Sequence, residues 1–172
     1  MTNQLIGTRV IIKDNEELCD ELDKRGFGER KAEELLLAPE EALYLKDKRK
    51  AFHVVDYKKK KLSFTAMTRR FTRADKNFPM KYLVYRDMKD RGYCVKTGFK
   101  FGSHFRVYPR GSKPGKGHAS WLLHVVPEEY ICEFPVLSRA VRLAQNVRKK
   151  MIYAVIDREG DVTYYKIDRI TP

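Results

Sequence analysis

His118 and Tyr108 are the side chains that the sequence places best for moving protons. Histidine exchanges a proton near neutral pH and is therefore the commonest general acid or base. Tyr108 ends one aromatic and β-branched segment, and His118 stands just before another. Residues 109–117 contain two prolines and three glycines, which predicts a mobile loop that brings Tyr108 and His118 together at its ends. A packing role is the alternative for each residue.

The other three histidines fit structural roles better. His124 lies within a predicted strand, His104 begins another, and His53 adjoins the basic run at residues 58–61. That run is typical of a solvated turn. His118 is therefore the histidine that we expect in an active site.

Residues 137–149 combine an apolar stripe with a basic face. Four residues at helical spacing predict the buried side: Ala140, Val141, Ala144 and Val147. Arg139 and Arg142 are three residues apart and share another face. Lys149 follows where the helix is expected to end. The segment is either a solvated basic helix or an edge that binds phosphate.

Three acidic residues raise the question of a metal-dependent nuclease. Asp157, Glu159 and Asp161 surround a predicted turn, with Lys166 beyond it. Restriction-type nucleases hold Mg²⁺ with carboxylates and a lysine on adjacent strands. Because these acids fall on a tight turn and do not face each other along strands, we predict no metal site. The sequence also lacks a P-loop, a dinucleotide-binding fingerprint and a Gly-x-Ser-x-Gly elbow.

The charge balance predicts a polyanionic partner. The chain has 36 basic and 23 acidic residues, a net charge of +13 and an isoelectric point near 9.7. Residues 1–77 hold 18 basic and 14 acidic residues, whereas residues 78–172 hold 18 and 9. Such an excess favours binding to nucleic acid, because neutralised phosphates release their counterions. A soluble basic protein without such a partner is the alternative.

The cysteine pattern and the apolar runs predict a cytoplasmic protein without a membrane span. Cys19, Cys94 and Cys132 are odd in number and widely spaced, which argues against a disulfide framework or a zinc ribbon. Residues 1–13 lack the apolar region and cleavage site of a signal peptide. No apolar run reaches the length of about 18 residues that a transmembrane helix needs.

Residues 1–77 predict a small N-terminal α+β module. We expect a strand at residues 9–12 and a helix at Glu16–Lys24, capped by Asp14 or Asn15 and ended by Gly26. Leu18 and Leu22 should face inward. A second helix should begin at Pro39, and a third should follow a Ser63 cap. Apolar residues of these two helices are expected in the core, namely Ala42, Leu43, Leu45, Phe64, Met67 and Phe71.

Residues 78–172 predict a second, α/β domain, which makes the chain α+β overall. A helix is expected at residues 80–91 with Tyr82, Tyr85 and Met88 in the core, and a second helix from a Ser138 cap to about Val147. Six strands are expected, at residues 93–96, 99–101, 105–108, 120–126, 151–156 and 162–167. Residues 158–160 should form a turn.

Several motifs of the second half resemble the catalytic domain of the archaeal-type tRNA-splicing endonuclease. The resemblance covers residues 82–169. Its landmarks are residues 85–102 (YRDMKDRGYCVKTGFKFG), 105–108 (FRVY), 118–122 (HASWL), 137–144 (LSRAVRLA) and 147–149 (VRK). The N-terminal half matches more loosely, through residues 26–28 (GFG) and 40–45 (EEALYL). The resemblance implies a central mixed sheet flanked by helices in the C-terminal domain.

The resemblance also implies a catalytic site without metal or cofactor. The family's tyrosine ends its FRVY strand, here Tyr108, its histidine opens the strand after the loop, here His118, and its lysine closes the VRK motif, here Lys149. The implied reaction is excision of introns from precursor tRNA at bulge–helix–bulge junctions, which leaves 2′,3′-cyclic phosphate and 5′-hydroxyl ends. We expect nearby cations such as Lys149 to lower the pKa of Tyr108.

Recognition and assembly follow from the same resemblance. Arg142 matches an arginine that grips an extruded bulge base, Arg169 is the candidate for a second one, and Arg139 would add to the phosphate-binding edge. An acidic loop, here Asp157, Glu159 and Asp161, docks into a basic groove of a neighbouring subunit in the family. This implies a homotetramer or a mixed tetramer with a structural subunit. A non-catalytic RNA-binding or assembly protein is the alternative function.

Overall fold

The chain forms two compact α+β units, residues 1–82 and 83–172. The computed structural model describes residues 2–170, so residues 1, 171 and 172, at the ends of the two predicted domains, lie outside the described part. Each unit contains a mixed five-stranded sheet with helices, which confirms the predicted fold class. Within residues 2–170, no helix is both long and apolar enough to cross a membrane.

The first unit is built on a sheet of strand order β3-β4-β2-β1-β5. In the described part of this sheet, β1 pairs with β5 in parallel, and the other strand pairs are antiparallel. Its described elements are β1 (Thr2–Ile6), β2 (Arg9–Lys13), α1 (Glu16–Lys24), β3 (Glu29–Lys31), β4 (Glu34–Leu37), α2 (Pro39–Lys48), β5 (Val54–Val55) and α3 (Phe64–Ala74). The predicted strand and the three predicted helices are confirmed, whereas β1, β3, β4 and β5 were not predicted.

Local capping explains where these helices begin. The Asn15 side chain accepts a hydrogen bond from the Leu18 backbone N–H at 3.1 Å, and Ser63 does the same for Ala66 at 3.1 Å. The predicted apolar residues of the helices are buried, except that Leu18 is half-buried and Phe64 is 37% exposed. Phe64 directly follows the N-cap Ser63, so it lies in the exposed first turn of α3.

A buried carboxylate joins the two motifs that carry the N-terminal resemblance. Glu41 is 3% exposed, and its carboxylate accepts hydrogen bonds from the backbone N–H of Gly28 at 3.0 Å and of Ala38 at 2.9 Å. Gly28 has φ of +67°, and a Cβ there would lie 2.6 Å from Leu35. The glycine lets the chain pass close to β4 and present its N–H to Glu41.

Glu41→Ala is expected to lower the free energy of unfolding by about 2–4 kcal/mol. The substitution leaves two backbone N–H groups without their acceptor, and each costs about 1–3 kcal/mol when buried. Urea denaturation followed by circular dichroism measures the change. Glu17→Ala on the exposed face of α1 is the control and should stay within about 0.5 kcal/mol. Equal effects of the two substitutions would show that the Glu41 hydrogen bonds contribute nothing.

The second unit is built on a sheet of order β10-β9-β8-β7-β6. Its described elements are β6 (Cys94–Thr97), β7 (Phe105–Tyr108), β8 (Trp121–Pro127), α5 (Phe134–Asn146), β9 (Lys150–Ile156) and β10 (Val162–Ile167), after α4 (Phe78–Asp90). The β8–β9 pairing is parallel and the other pairings are antiparallel. Residues of α5 pack with one face of this sheet, in a cluster that includes Leu122, Val141, Ala144 and Met151.

The strand predicted at residues 99–101 is wrong, because these residues form a 3-10 helix, Phe99–Phe101. The antiparallel pairing of β6 with β7 begins at the pair Cys94–Tyr108 and ends at the pair Thr97–Phe105. Residues 98–104 therefore form the connection between the two strands. The aromatic content suggested a strand, but Phe99 is 88% exposed and Gly102 adopts a left-handed conformation at φ 61°.

Two helices begin earlier than predicted. The cap predicted at Ser138 is wrong, because α5 starts at Phe134 after an N-cap at Glu133. The helix predicted from residue 80 starts at Phe78 instead. In both cases a proline is the second helical residue, where its missing N–H costs no hydrogen bond. Pro79 and Pro135 therefore belong to the first turns of their helices.

Candidate active site

The topology of the second unit brings the predicted catalytic residues to one end of its sheet. Strand β7 ends at Tyr108 and runs antiparallel to β8, while β8 runs parallel to β9. The end of β7 and the beginnings of β8 and β9 therefore lie side by side. His118 precedes β8 by three residues, and Lys149 precedes β9 directly.

An open cavity of about 770 Å³ lies at this end of the sheet and contains Tyr108 and His118. It is also lined by Tyr93, Pro109, Arg110, Ala119, Ser120, Trp121, Arg148 and Lys150. Three of these side chains are cationic and none is acidic. The cavity thus combines two groups that exchange protons with a positive surround, which suits a phosphate-bearing ligand.

Tyr108 is the buried member of the site. It is 4% exposed, packs with Cys94 and Ala119, and has the guanidinium carbon of Arg106 at 5.9 Å from its ring centroid. Burial raises the pKa of the phenol, and the nearby Arg106 charge offsets this only in part. The expectation of a lowered Tyr108 pKa is therefore wrong for the free protein.

Lys149 lies at the same end of the sheet as Tyr108 and His118 but does not line the cavity. Its Nζ lies 3.4 Å from the Val147 carbonyl oxygen and 5.6 Å from the centroid of the Phe101 ring. The two residues that flank it, Arg148 and Lys150, line the cavity instead. The sequence located Lys149 at the end of the helix, and its ammonium contacts the Val147 carbonyl oxygen and the Phe101 ring.

The remaining histidines make contacts typical of structural residues. His104 Nδ1 accepts a hydrogen bond from the Val125 backbone N–H at 2.8 Å. The His124 ring stacks on Tyr153 at 5.3 Å, and burial lowers its pKa. His53 differs from these two, because its side chain is exposed and it is the backbone carbonyl oxygen that accepts from the Asn3 side chain, at 2.9 Å.

A second groove runs along the outer face of α5. Arg139 and Arg142 line it together, as their spacing suggests, and its volume is about 550 Å³. The Arg169 carbonyl oxygen accepts a hydrogen bond at 3.1 Å from Gln145, which is one helical turn beyond Arg142. The backbone of Arg169 therefore lies beside α5, whereas Arg139 and Arg142 are the two of these arginines that line the groove.

The acidic turn connects β9 and β10. The Asp157 carboxylate accepts a hydrogen bond at 2.8 Å from the Asp161 backbone N–H, which closes the turn, and Gly160 has φ of +89°. Glu159 and Asp161 are exposed. Within residues 2–170, no group of three or more His, Cys, Asp or Glu side chains is arranged as a metal site.

Among the aromatic and cationic residues of the cavity, five were not singled out from the sequence as functional: Tyr93, Arg110, Trp121, Arg148 and Lys150. Two signals pointed to some of them. The triplet Arg148-Lys149-Lys150 is a local concentration of charge at a predicted helix end, and Arg110 follows Tyr108 within the basic loop. Tyr93 and Trp121 carried no such signal, because aromatic residues at strand ends are most often part of the core.

Comparison with known proteins shows the family of the chain. Residues 78–164 match the family model of the tRNA intron endonuclease catalytic C-terminal domain, and residues 1–68 match that of its N-terminal domain. The chain is 43% identical over 164 residues to a tRNA-splicing endonuclease of Thermococcus kodakarensis, which covers 95% of both chains. It is 39% identical over 166 residues to that of Pyrococcus horikoshii, with 96% and 94% coverage.

A longer relative shows the same likeness over part of its length. The tRNA-splicing endonuclease of Methanosarcina mazei is 39% identical over 173 residues, which span the whole of this chain but 47% of the relative. The resemblance predicted from the motifs is confirmed. The chain belongs to the tRNA intron endonuclease family.

Proposed function

We propose that this protein is an RNA endonuclease that excises introns from precursor tRNA. The observation that carries the proposal is the cavity in which Tyr108 and His118 lie among three cations and no carboxylate. The relatives named tRNA-splicing endonuclease supply the substrate class. We further propose that the cut falls at bulge–helix–bulge junctions, where unpaired nucleotides can leave the helix and enter an open cavity.

The chemistry needs only groups that the RNA and the protein supply. The 2′-hydroxyl next to the cut is the nucleophile, and Tyr108 takes its proton. The 2′-oxygen attacks the adjacent phosphorus while the bond to the 5′-oxygen breaks, and His118 protonates the leaving oxygen. The products carry a 2′,3′-cyclic phosphate and a 5′-hydroxyl. The nucleophile is part of the substrate, so positioning accounts for much of the acceleration.

Because burial raises the pKa of Tyr108, its phenolate form needs stabilisation by nearby cations. An unperturbed phenol with a pKa of about 10 is ionised at pH 7 in about one molecule in a thousand, and burial lowers that fraction further. We propose that the cations Arg106, Arg148 and Lys150 favour the phenolate form of Tyr108 that takes the proton of the 2′-hydroxyl.

Lys149 is proposed to balance charge on the phosphate in the transition state. Its ammonium must leave the Phe101 ring for this, and a cation–π contact at such a site is worth about 0.5–1 kcal/mol. A charge-assisted hydrogen bond to a phosphate oxygen is worth about 1.5–3 kcal/mol. The exchange is favourable, and the four-carbon side chain of lysine has the freedom to make it.

Incubation with an intron-containing precursor tRNA tests the proposed function. Two cuts are expected, one at each junction, with release of an intron of the encoded length. Mature tRNA of the same sequence should stay intact. A protein that saturates with the precursor in a binding assay and leaves it uncut is the non-catalytic RNA-binding protein of the alternative.

Arg142→Lys is expected to weaken binding of the junction RNA about tenfold. We propose that the planar guanidinium of Arg142 stacks on an unpaired bulge base, a contact that an ammonium does not reproduce. Electrophoretic mobility shifts measure the dissociation constant for RNA with and without the bulge base. Arg139→Lys in the same groove keeps its charge and is the control. If Arg142→Lys binds both RNAs as the wild type does, Arg142 makes only a phosphate contact.

We propose that the acidic turn assembles subunits into a homotetramer, with a mixed tetramer as the alternative. Exposed carboxylates at Glu159 and Asp161 complement a strongly basic protein. The second unit also exposes large apolar side chains that a partner subunit could cover: Ile131 (90%), Phe134 (77%), Tyr165 (53%) and Ile170 (85%). Symmetric assembly would let two active sites reach two splice junctions.

Reversal of Glu159 and Asp161 to lysine is expected to split a tetramer into dimers and to lower cleavage at least tenfold. The reversal places like charges against the basic groove of a partner subunit. Asp157 stays unchanged, because its carboxylate closes the turn. Light scattering gives the mass alongside the cleavage rate, and Glu159→Gln with Asp161→Asn separates charge reversal from charge loss. Wild-type mass and rate in the lysine variant would show that the turn has no role in assembly.

A further inference from the structure

Three planar side chains form one wall of the cavity that contains Tyr108 and His118. The rings of Tyr93 and Trp121 have centroids 5.1 Å apart and planes inclined at 47°. The guanidinium carbon of Arg110 lies 5.3 Å from the centroid of the Tyr93 ring. All three border the cavity, and we call them the stacking wall.

The stacking wall is open to a ligand. Tyr93 and Trp121 are half-buried and Arg110 is exposed, so none of the three is enclosed in the core. Unpaired RNA bases stack on aromatic rings and on guanidinium planes, and both kinds of surface are present here. The guanidinium carbon of Arg110 already lies over the Tyr93 ring, so a polar group adjoins this ring in the free protein.

The size of the cavity argues for more than a phosphate. Its volume of about 770 Å³ lies within the range of about 300–1,000 Å³ of pockets that hold whole small molecules. A phosphodiester beside Tyr108 and His118 would fill only a small part of it. The nucleoside on one side of that phosphate fits into the remainder, where the stacking wall lies.

We infer that the stacking wall binds the base of a nucleotide that adjoins the scissile phosphate. The inference rests on the proposed function, because it takes RNA as the substrate. Stacking would hold the sugar of that nucleotide, and with it the reacting phosphate, against Tyr108 and His118. The base must be unpaired, so the wall selects junctions at which a nucleotide leaves the helix.

The fluorescence of Trp121 tests the inference without cleavage, because Trp121 is the only tryptophan of the chain. The probe is a junction RNA with a single 2′-deoxynucleotide at the cut, and its binding is measured independently through a label on the RNA. Stacking of a base should quench the tryptophan at saturation. An abasic residue on one side of the cut should remove the quenching and weaken binding about tenfold, since a stacked base contributes about 1–3 kcal/mol.

Paired substitutions distinguish the stacking wall from aromatic residues elsewhere. Tyr93→Leu and Trp121→Leu should each weaken RNA binding about tenfold. Tyr57→Leu should leave binding unchanged, although Tyr57 also carries a cation, with Lys58 Nζ 5.5 Å from its ring centroid. Unchanged fluorescence with saturating RNA overturns the inference. Failure of the wild type to cut the all-ribose RNA would instead overturn the proposed function, whatever the fluorescence shows.

A separate observation, the backbone of Arg148, carries a second inference. The Arg148 N–H donates to the Gln145 carbonyl oxygen at 2.9 Å, and the Lys149 N–H donates to that of Ala144 at 2.8 Å. This pair of bonds ends α5 in a Schellman motif, whose left-handed position is usually glycine. Arg148 occupies it with φ of +55°, a conformation that is unfavourable for a residue with a Cβ.

The geometry points to Arg148 as a residue that binds the RNA phosphate backbone. Its side chain lines the cavity with Tyr108 and His118, and strained backbone of this kind is concentrated at functional sites. Glycine would end the helix with less strain but would leave the cavity without this cation. The strained backbone conformation is therefore kept at Arg148 because its cationic side chain binds RNA in the cavity.

Arg148→Gly should raise the melting temperature of the protein by about 2–8 °C and weaken binding of the 2′-deoxy junction RNA about tenfold. Arg148→Met should weaken binding equally without the thermal gain, because methionine keeps the strained backbone and loses the charge. RNA binding of wild-type strength in both variants overturns the role of Arg148. A melting temperature that does not rise in Arg148→Gly overturns the strain argument.

Discussion

His118→Ala is expected to slow cleavage of a precursor tRNA by roughly 10²–10⁴, the usual contribution of a positioned proton donor. The leaving 5′-oxygen is a poor leaving group unless it is protonated as the bond breaks. His118 lines the cavity at the end of the sheet, and no second histidine does. Single-turnover kinetics with enzyme in excess isolates the chemical step from binding and product release.

The control for His118 is His53→Ala, which alters an exposed histidine of the first unit and should leave the rate unchanged. Tyr108→Phe should match the loss seen with His118→Ala, because phenylalanine keeps the packing against Cys94 and Ala119 but cannot take a proton. Circular dichroism should show the same fold in all three variants. Wild-type single-turnover cleavage by His118→Ala would remove it from the mechanism.

Replacement of the single 2′-hydroxyl at the cut by hydrogen is expected to abolish cleavage and to leave binding intact. The 2′-oxygen is the only nucleophile in the proposed reaction, so its removal leaves no path to the cyclic phosphate. Contacts to the phosphates and to the unpaired bases stay in place, and the dissociation constant should change by less than about threefold. Gel-resolved cleavage and filter binding on the same RNA preparation measure both quantities.

A 2′-deoxynucleotide at a neighbouring position provides the matched control and should be cut at the normal rate. This distinguishes loss of the nucleophile from a general effect of deoxyribose on the shape of the junction. Cleavage of the RNA that lacks the 2′-hydroxyl at the cut would mean that water or another group attacks the phosphate. The roles of Tyr108 and His118 would then have to be assigned again.

Elements with local signals could be predicted from the sequence. Asn15 and Ser63 predicted the starts of their helices, because an N-cap side chain binds backbone N–H groups only two or three residues away. Strand β10 alternates between half-buried and exposed residues from Val162 to Tyr165, as the alternation of the sequence predicted for its first part. Strand β5 could not be predicted, because it has two residues and joins the sheet by pairing with β1, some fifty positions earlier.

In the candidate site too, features with local sequence signals could be predicted and features set by long-range contacts could not. Tyr108 and His118 could be placed together because a single loop joins them. The contact of the Lys149 ammonium with the Phe101 ring could not be predicted, because the two residues are far apart in the sequence. The raised pKa of Tyr108 follows from packing against Cys94 and Ala119, which the strand pairing brings together. Long-range contacts, which the spacing of residues does not encode, account for each of these differences.

The most direct test of the proposed reaction is end-group analysis of the products of precursor cleavage in EDTA. The account predicts two cuts at the wild-type rate after removal of divalent metal, with a 2′,3′-cyclic phosphate on each upstream fragment and a 5′-hydroxyl on each downstream fragment. The RNA must be folded in monovalent salt so that loss of Mg²⁺ does not unfold the junction. A cut that disappears in EDTA on correctly folded RNA, or products with 3′-hydroxyl and 5′-phosphate ends, would contradict the account.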